Sequence, residues 1–204
     1  FCQYTVGNAY FWWDFLEIQE KGRDSFPNSQ AFKEYLRENI SKCEDWFWKA
    51  FEGGMYLAAN NLNKYYQTGD EDIILPQPQK AEGIWRFGAE KGYPIHQYLY
   101  AKELDKEGKK EEAFQWHERA AKNGQKDSWY YVGLAYEEGK LFPKNCSYAA
   151  QCYEKGLKPS GSIGCYNRLG VLYFKGDGVP QDYEKAVKLL TQAYEEENNW
   201  GVVY

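Results

Sequence analysis

The chain has 204 residues, with 25 Lys and Arg against 30 Asp and Glu and a formal net charge of -5 at pH 7. Because basic and acidic residues are interspersed, the sequence argues against the clustered positive surface that nucleic acids and anionic membranes require. No apolar stretch approaches the length of a membrane-spanning helix. We therefore expect no nucleic-acid partner and no membrane insertion, in a chain long enough for one domain or one elongated array.

The first ten residues, FCQYTVGNAY, carry no Met and already follow a helical pattern, which we interpret as a processed or trimmed product. This interpretation leaves the compartment open, with a cytoplasmic location slightly favoured over a periplasmic one. The segment YTVGNAY (4–10) matches YYVGLAY (130–136). The first residues are therefore predicted to belong to a repeat.

The N-terminal third contains two departures from a simple repeat. The segment NSQAFKEYLRENI, within residues 23–42, predicts an extra amphipathic helix, either the second helix of the first unit or an insertion. Its apolar stripe consists of Ala31, Phe32, Tyr35, Leu36 and Ile40. The segment WFWKAFEGG (46–54) echoes a later repeat element. GDEDIILPQPQ (69–79) predicts an enlarged loop, because its two prolines favour extended backbone.

The second half of the chain repeats itself. Residues 129–156 align with residues 166–193 at a shift of 37. The matched pairs are Gly133 and Gly170, Tyr136 and Tyr173, Gly139 and Gly176, Pro143 and Pro180, Asn145 and Asp182, and Ala149 and Ala186. Residues 97–124 continue the series at a shift of 32, with Ala101 in the place of Gly133 and a shorter connection between the two helices. Residues 81–92 match residues 113–124, again at 32.

Each unit is interpreted as two helices. Gly176 is predicted to end the first helix of the last unit, and Asp182, like Asn145, to cap the second. Gly133 and Gly170 fall inside helices, where glycine costs about 1 kcal/mol relative to Ala. This cost indicates a close helix crossing, for which Ala113, Ala149 and Ala186 are the predicted contacts on the partner helices.

The segment RLGVLYFKGDGVPQDYEKAVKLLTQA (168–193) combines an apolar residue before glycine, Tyr three residues later, a G-x-G-V-x-x-D loop and two Ala seven apart. It resembles the Sel1-like repeat, a relative of the tetratricopeptide repeat. Residues 129–156 match with Lys140 and Leu141 in place of the usual loop residues. Residues 93–124 resemble the shorter tetratricopeptide form, and residues 1–92 match only in pieces.

The resemblance implies an all-α fold, a right-handed α–α superhelix or solenoid of about five helix pairs with an extra N-terminal helix. We predict one repeat domain over residues 1–204. Its approximate units are 1–53, 54–92, 93–124, 125–157 and 163–195, followed by a capping or truncated C-terminal segment at 196–204.

The sequence offers little support for catalytic, cofactor or metal chemistry. The loop Gly176–Gly178 has neither the phosphate-loop nor the calcium-loop spacing, and the preceding unit keeps only the features that a turn needs. His96 and His117 lie on different predicted helices, and neither has a Ser, Cys or carboxylate motif of recognised spacing beside it. We therefore predict a turn at the loop, a packing or rim position for His117, and no catalytic, cofactor-binding or metal-binding residues. His96 takes a slot that small residues, Ser128 and Cys165, hold in other units.

The five cysteines form no metal-spaced cluster, and their odd number rules out a complete disulfide framework. They are Cys2, Cys43, Cys146, Cys152 and Cys165. Cys146 and Cys152 fall on different faces of one helix, so they cannot bridge within it. Buried thiols are preferred over disulfides.

Stacked helix pairs create an extended concave groove lined by the first helix of each pair. In the related tetratricopeptide architecture the lining positions have fixed offsets from the helix-crossing glycine: three before it, one after, and four or five after. Transferred to this sequence, these offsets predict a partner-binding groove of Tyr4, Asn8, Phe11, Trp12, Asn60, Lys64, Gln67, Tyr98, Lys102, Asp105, Lys106, Tyr130, Leu134, Glu137, Glu138, Asn167, Val171, Phe174 and Lys175.

Aromatic side chains in such a groove can anchor a partner or pack between neighbouring helices, and both readings stay open for each ring. The resemblance implies a non-enzymatic adaptor that binds a protein or peptide. One hypothesis is a bacterial immunity protein that neutralises a secreted toxin. The alternatives are a hydrolase acting on cell-wall material and a self-assembling scaffold.

Overall fold

The computed structural model describes residues 27–55, 58–59, 62–63, 66, 77–157 and 162–201. Within these residues every regular element is an α-helix. The chain divides into two compact units, Phe1–Ile84 and Trp85–Tyr204. The predicted all-α class is confirmed.

The first unit contains helix α1, Ser29–Glu52. The Asn28 side chain caps it by accepting a 2.8 Å hydrogen bond from the backbone N–H of Ala31. The helix runs without a break through both NSQAFKEYLRENI and WFWKAFE, which the sequence suggested as separate elements. Phe32, Phe47 and Phe51 on α1 are buried. Their spacing is compatible with one continuous apolar stripe, which explains the single long helix.

A polar cluster lies within the first unit. The Tyr66 hydroxyl donates to Glu44, and the Trp48 indole Nε1–H donates to Tyr66 at 3.1 Å. Lys80 pairs with the same Glu44 carboxylate at 2.9 Å. Pro78 is the first residue of helix α2, Pro78–Glu90, so the end of the predicted 69–79 loop is helical. Proline suits the first helical position because the N–H it lacks would have no partner there. Residues 69–76 lie outside the described residues.

The second unit is built from helical hairpins. Its helices after α2 are α3 (Pro94–Lys106), α4 (Lys110–Lys122), α5 (Asp127–Glu138), α6 (Cys146–Lys155), α7 (Ile163–Lys175) and α8 (Tyr183–Gly201). The pairs α3/α4, α5/α6 and α7/α8 pack as hairpins, and successive hairpins meet through α4 with α5 and through α6 with α7. Helix α8 continues to Gly201, into the predicted C-terminal segment.

The predicted helix ends of the last two hairpins are confirmed. Gly139 and Gly176 both adopt φ of 70°, the left-handed conformation that ends α5 and α7. The Asn145 side chain caps α6 by accepting from the Tyr148 N–H at 3.0 Å. The Asp182 side chain caps α8 by accepting from the Lys185 N–H at 2.9 Å.

The glycines inside α5 and α7 mark close helix crossings, as predicted. The predicted Ala186 contacts Gly170, since its carbonyl oxygen would lie 3.4 Å from a Cβ there, but the nearest side chains belong to other residues. A Cβ on Gly133 would lie 2.4 Å from the Tyr153 ring, and one on Gly170 would lie 2.8 Å from Leu190. Both partners sit one helical turn beyond the predicted Ala149 and Ala186. The small residues are buried, but larger side chains cover the glycines.

Cys146, Cys152 and Cys165 are buried and not disulfide-bonded, in agreement with the expected buried thiols. Burial raises the pKa of Cys152 to about 11 and that of Cys165 to about 12, so both stay protonated at neutral pH. Cys2 and the Cys43 side chain lie outside the described residues. Among the helices that are described, none combines the length and apolar character needed to cross a bilayer.

Candidate functional site

The first helices of the three hairpins, α3, α5 and α7, carry the part of the predicted groove that can be described. The described members are Tyr98, Lys102, Asp105, Lys106, Tyr130, Leu134, Glu137, Glu138, Asn167, Val171, Phe174 and Lys175. Tyr4, Asn8, Phe11, Trp12, Asn60, Lys64 and Gln67 lie outside the described residues. We call the contact of α3 and α4 with α5 the first junction, and that of α5 and α6 with α7 the second junction.

At the first junction, Asp105 on α3 is held by two side chains of α4. His117 Nε2 lies 3.1 Å from Asp105 Oδ2, and Lys110 Nζ donates to Oδ1 at 2.9 Å. The imidazole of His117 stacks on the Tyr131 ring of α5, with centroids 4.1 Å apart and an interplanar angle of 1°. One histidine therefore links three helices.

The charge states at the first junction follow from burial and hydrogen bonding. Burial lowers the pKa of His117, although its hydrogen bond to Asp105 opposes the shift. Burial would raise the pKa of Asp105, but the hydrogen bonds from His117 and Lys110 outweigh it and lower that pKa. At neutral pH a neutral His117 therefore donates its Nε2–H to an ionised Asp105. Its Nδ1 is buried without a hydrogen-bond partner among the described residues.

At the second junction, Glu137 on α5 takes the place of Asp105. Its Oε2 accepts from the Tyr153 hydroxyl at 2.6 Å and from Arg168 Nε at 3.0 Å. Its Oε1 accepts from Arg168 Nη2 at 2.8 Å. This two-point pairing of a guanidinium with a carboxylate joins α5 to α7, and Tyr153 joins both to α6.

The two junctions use equivalent positions, which the repeat alignment reveals. Asp105 aligns with Glu137, His117 with Tyr153, and Tyr131 with Arg168. The sequence prediction placed the two acids in the groove but found no carboxylate beside His117. The structure corrects this, because Asp105 lies twelve residues earlier and meets His117 only through the hairpin. The alignment carried a signal for this contact, because both units place an acidic residue and a ring with a hydrogen-bond donor at the same two positions.

Two predicted groove tyrosines contact rings of neighbouring helices. Tyr98 lies 5.8 Å from His117 and 6.0 Å from Tyr131, measured between ring centroids. Tyr130 lies 6.5 Å from Tyr153 of α6, and a Cβ on Gly164 of α7 would lie 2.6 Å from its ring. Both tyrosines are half-buried. They pack between helices and still present part of each ring to solvent.

The predicted groove residues on α7 are more open. Phe174 is 55% exposed, and its ring contacts Tyr183 at a centroid distance of 5.6 Å. Asn167 and Lys175 are exposed, and Val171 is half-buried. This helix therefore presents an apolar centre flanked by polar groups.

An open cavity of about 540 Å³ at the first junction brings Asp105, Leu134 and Glu138 together. These three were predicted groove residues from two successive repeats. The full lining is Asp105, Gly108, Lys110, Glu111, Phe114, His117, Tyr131, Leu134, Ala135, Glu138, Lys140 and Leu141. The cavity thus combines an apolar floor with acidic and basic groups.

The loop Gly176–Gly178 forms a turn, and it also contacts the preceding hairpin. Asp177 pairs with Lys144 at 3.1 Å. Gly178 has φ of 76°, and a Cβ there would lie 2.3 Å from the carbonyl carbon of Cys146. The sequence predicted the turn but not this contact with the start of α6.

Both histidines are packed into the protein. His96 is 1% exposed and lies 5.5 Å from the Trp85 ring, and His117 is also 1% exposed. Burial lowers the pKa of His96 to about 4. In the described part of the chain, no three His, Cys, Asp or Glu side chains are grouped closely enough to hold a metal ion. Since it is buried, His117 takes the packing position rather than the rim position that the sequence also allowed.

Comparison with known proteins connects this architecture to characterised folds. A family model described as Sel1 repeat matches residues 54–93, 98–125, 129–158 and 164–198, which is more than half of the chain. The crystal structure of a Sel1 repeat protein from Oxalobacter formigenes is similar, with a TM-score of 0.65 and 25% identity over 95% of this chain and 71% of that chain.

A second crystal structure is that of c5321, described as a protective antigen present in uropathogenic Escherichia coli strains displaying an SLR fold. Its TM-score is 0.67, at 24% identity over 95% of this chain and 38% of that chain. The present chain therefore spans less than half of c5321, and this likeness concerns the fold alone. Both neighbours agree with an all-α helical repeat solenoid, the predicted fold class.

Proposed function

We propose, from the premise that the chain belongs to the Sel1 repeat family, that it binds one protein partner through the surface formed by α3, α5 and α7. Proteins of this family generally act as non-enzymatic scaffolds for protein–protein interaction. The observation that carries the proposal is the cavity in which Asp105, Leu134 and Glu138, from successive repeats, line one space. An interface needs such a recess to receive an anchoring side chain.

The chemistry of this surface supports a protein partner. Half-buried Tyr98 and Tyr130 offer ring faces that are already fixed by neighbouring helices, so a partner would not have to immobilise them. Exposed Phe174 adds an apolar contact, and Lys102 and Asn167 add polar groups that would set the register of a bound chain.

A pair of valine variants tests the location of the interface. The tagged chain is used to isolate its partner from the source cells, and the purified partner is then titrated against each variant by calorimetry. Val171→Glu, on α7, is expected to weaken binding at least tenfold, because it places a charge in the apolar part of the proposed surface that α7 contributes. Val187→Glu, on the exposed side of α8, is the matched control.

The proposal fails if both valine variants bind like wild type while circular dichroism shows both to be folded. The interface would then be sought on the 69–79 segment or the 23–42 segment. Tyr98→Ala and Tyr130→Ala are less suitable first tests, because each ring also packs between helices.

The form of this role that we favour is an immunity protein that neutralises a secreted bacterial toxin. A short acidic chain with degenerate repeats suits a protein dedicated to one partner. The test is co-expression with the product of the neighbouring gene in a host that this product kills. Survival that depends on Val171 would support the role, and unchanged killing with both proteins expressed would exclude that pair.

A further inference from the structure

We propose that the cavity at the first junction binds a basic side chain of the partner, with arginine as the preferred residue. This inference rests on the proposed function and adds the chemistry of the anchoring residue. It is carried by three features: how the cavity arises, which charges surround it, and which rings and apolar groups form its walls.

The cavity arises where the chain departs from its own repeat pattern. At the second junction, Gly178 packs directly on the backbone of Cys146 and Ser147 at the equivalent place. At the first junction, Leu141 stands in the aligned position. Only glycine fits the closed arrangement, since a Cβ on Gly178 would lie 2.3 Å from Cys146. The loop at Leu141 therefore cannot make this contact.

The connection between the helices of the preceding hairpin is also shorter. Residues 107–109 join α3 to α4, whereas residues 139–145 join α5 to α6. The connection after α3 is therefore four residues shorter, and those four residues could otherwise fill part of the space. Two departures from the repeat, at one junction, thus leave an opening of about 540 Å³. Such a space is large enough for a long side chain.

The charges around the cavity favour a cation. Three lining residues are carboxylates and two are lysines. The lysines are already paired, Lys110 with Asp105 at 2.9 Å and Lys140 with Glu138 at 3.0 Å. Glu111 lines the cavity, is exposed and makes no ion pair with any described residue. Neutral His117 adds no positive charge, so one carboxylate is left to receive a basic group.

The walls suit the rest of an arginine side chain. Phe114, Leu134 and Leu141 provide apolar surface for the three methylene groups, which long basic side chains bury readily. The Tyr131 ring, which is partly exposed and held in place by its stack on buried His117, adds an aromatic wall. A planar guanidinium stacks on rings and pairs with a carboxylate through two N–H groups, whereas a lysine ammonium does neither.

A titration with small probes tests the inference without the protein partner. ¹H–¹⁵N spectra of the wild-type chain are recorded with increasing N-acetyl-arginine methylamide. The expected result is saturable shifts confined to residues 105–117 and 131–141. The uncharged isostere, N-acetyl-citrulline methylamide, and the acidic N-acetyl-glutamate methylamide should bind more weakly. Equal responses to arginine and citrulline, or no saturable shift with arginine, would overturn the proposal.

Neighbouring glutamates give a matched pair of variants. Glu111 lines the cavity, while Glu112 does not, and both are exposed in the first turn of α4. Glu111→Gln should weaken arginine binding about fivefold, as for a partly exposed ion pair. Glu112→Gln should leave it unchanged. Equal weakening by both variants would indicate a general effect of net charge and would also overturn the proposal.

The same variants separate this inference from the proposed function. If Val171→Glu abolishes partner binding while Glu111→Gln has no effect on either the partner or the arginine probe, the surface is the interface and the arginine site is wrong. If the arginine probe binds and depends on Glu111, but Val171→Glu leaves partner binding intact, the cavity stands and the wider surface is wrong.

Discussion

The two junctions of the second unit join successive hairpins at equivalent positions but with different side chains. At the first junction Asp105 accepts from His117, which stacks on Tyr131. At the second, Glu137 accepts from Tyr153 and pairs with Arg168. The backbone places equivalent residues together in both, yet one contact between hairpins is a ring stack and the other an ion pair. Repeats of one family can therefore keep a geometry while exchanging its chemistry.

Ring size and the helix-crossing residue change together between the junctions. The larger ring of Tyr153 lies over Gly133, where a Cβ would be 2.4 Å away. At the first junction the aligned residues are Ala101 and the smaller His117, both buried. A close-packed interior admits either the larger ring or the extra methyl group, but not both.

The largest change in stability that we expect comes from giving the second junction the residues of the first junction. Gly133→Ala should lower the free energy of unfolding by about 3 kcal/mol, because the added methyl group meets the buried Tyr153 ring. Adding Tyr153→His copies the first junction and should recover at least about 1 kcal/mol relative to the sum of the single changes. Chemical denaturation of the wild type, the two single variants and the double variant measures this coupling. Strict additivity of the free-energy changes would show that the two positions are independent.

The loops provide the next contrast. Gly178→Ala should destabilise the protein by about 2 kcal/mol, because the residue has φ of 76° and its Cβ would meet Cys146. Leu141→Ala, at the aligned position, should change stability by less than about 1 kcal/mol because that side chain lines an open cavity. Thermal denaturation distinguishes the two, and a larger loss from Leu141→Ala would contradict the account of why the cavity is open.

The two carboxylates should differ in a smaller but measurable way. Glu137→Gln should cost about 2 kcal/mol, since Glu137 is largely buried and accepts three hydrogen bonds from Tyr153 and Arg168. Asp105→Asn should cost about 1 kcal/mol, because Lys110 is mostly exposed. Exposed Glu138→Gln serves as a control with almost no cost. A greater loss of stability from Asp105→Asn than from Glu137→Gln would contradict this prediction.

The final contrast is one of pH. His117 has a lowered pKa, so between its folded value and about 6.5 the unfolded chain binds a proton that the folded chain does not. Its contribution to stability is therefore present above pH 6.5 and declines as the pH falls toward the folded value. The imidazole signals should show His117 titrating below pH 6.5, separately from His96 near 4. A midpoint above 6.5 for His117 would mean that Asp105 outweighs burial.

Local features of this structure were predictable from sequence, because they depend on a few neighbouring residues. The left-handed ends at Gly139 and Gly176 and the caps at Asn145 and Asp182 follow from the conformational freedom of glycine and from the hydrogen bonding of short polar side chains. The repeat alignment then fixed which helices form hairpins. These features were enough to specify the fold.

The side-chain contacts between helices were less predictable, because they depend on positions distant along the chain. Asp105 meets His117 only after α3 and α4 pair, and Gly178 meets Cys146 only after two hairpins stack. Helix α1 was divided in the prediction because its second half resembled a repeat element, whereas its apolar residues form one continuous stripe. Exposure at the predicted groove positions likewise depends on which neighbour carries a large ring.

The contact of Gly178 with the start of α6 has a consequence for the order of the hairpins. The turn that follows α7 fits closely against the backbone at the start of α6 in the preceding hairpin. The hairpins are therefore not interchangeable. Exchanging residues 125–157 with residues 163–195 would bring Leu141 to the place where only glycine fits. The turn residues are thus compatible with only one order of the hairpins. A chain with the hairpins exchanged would lose the close contact between the turn and the preceding hairpin.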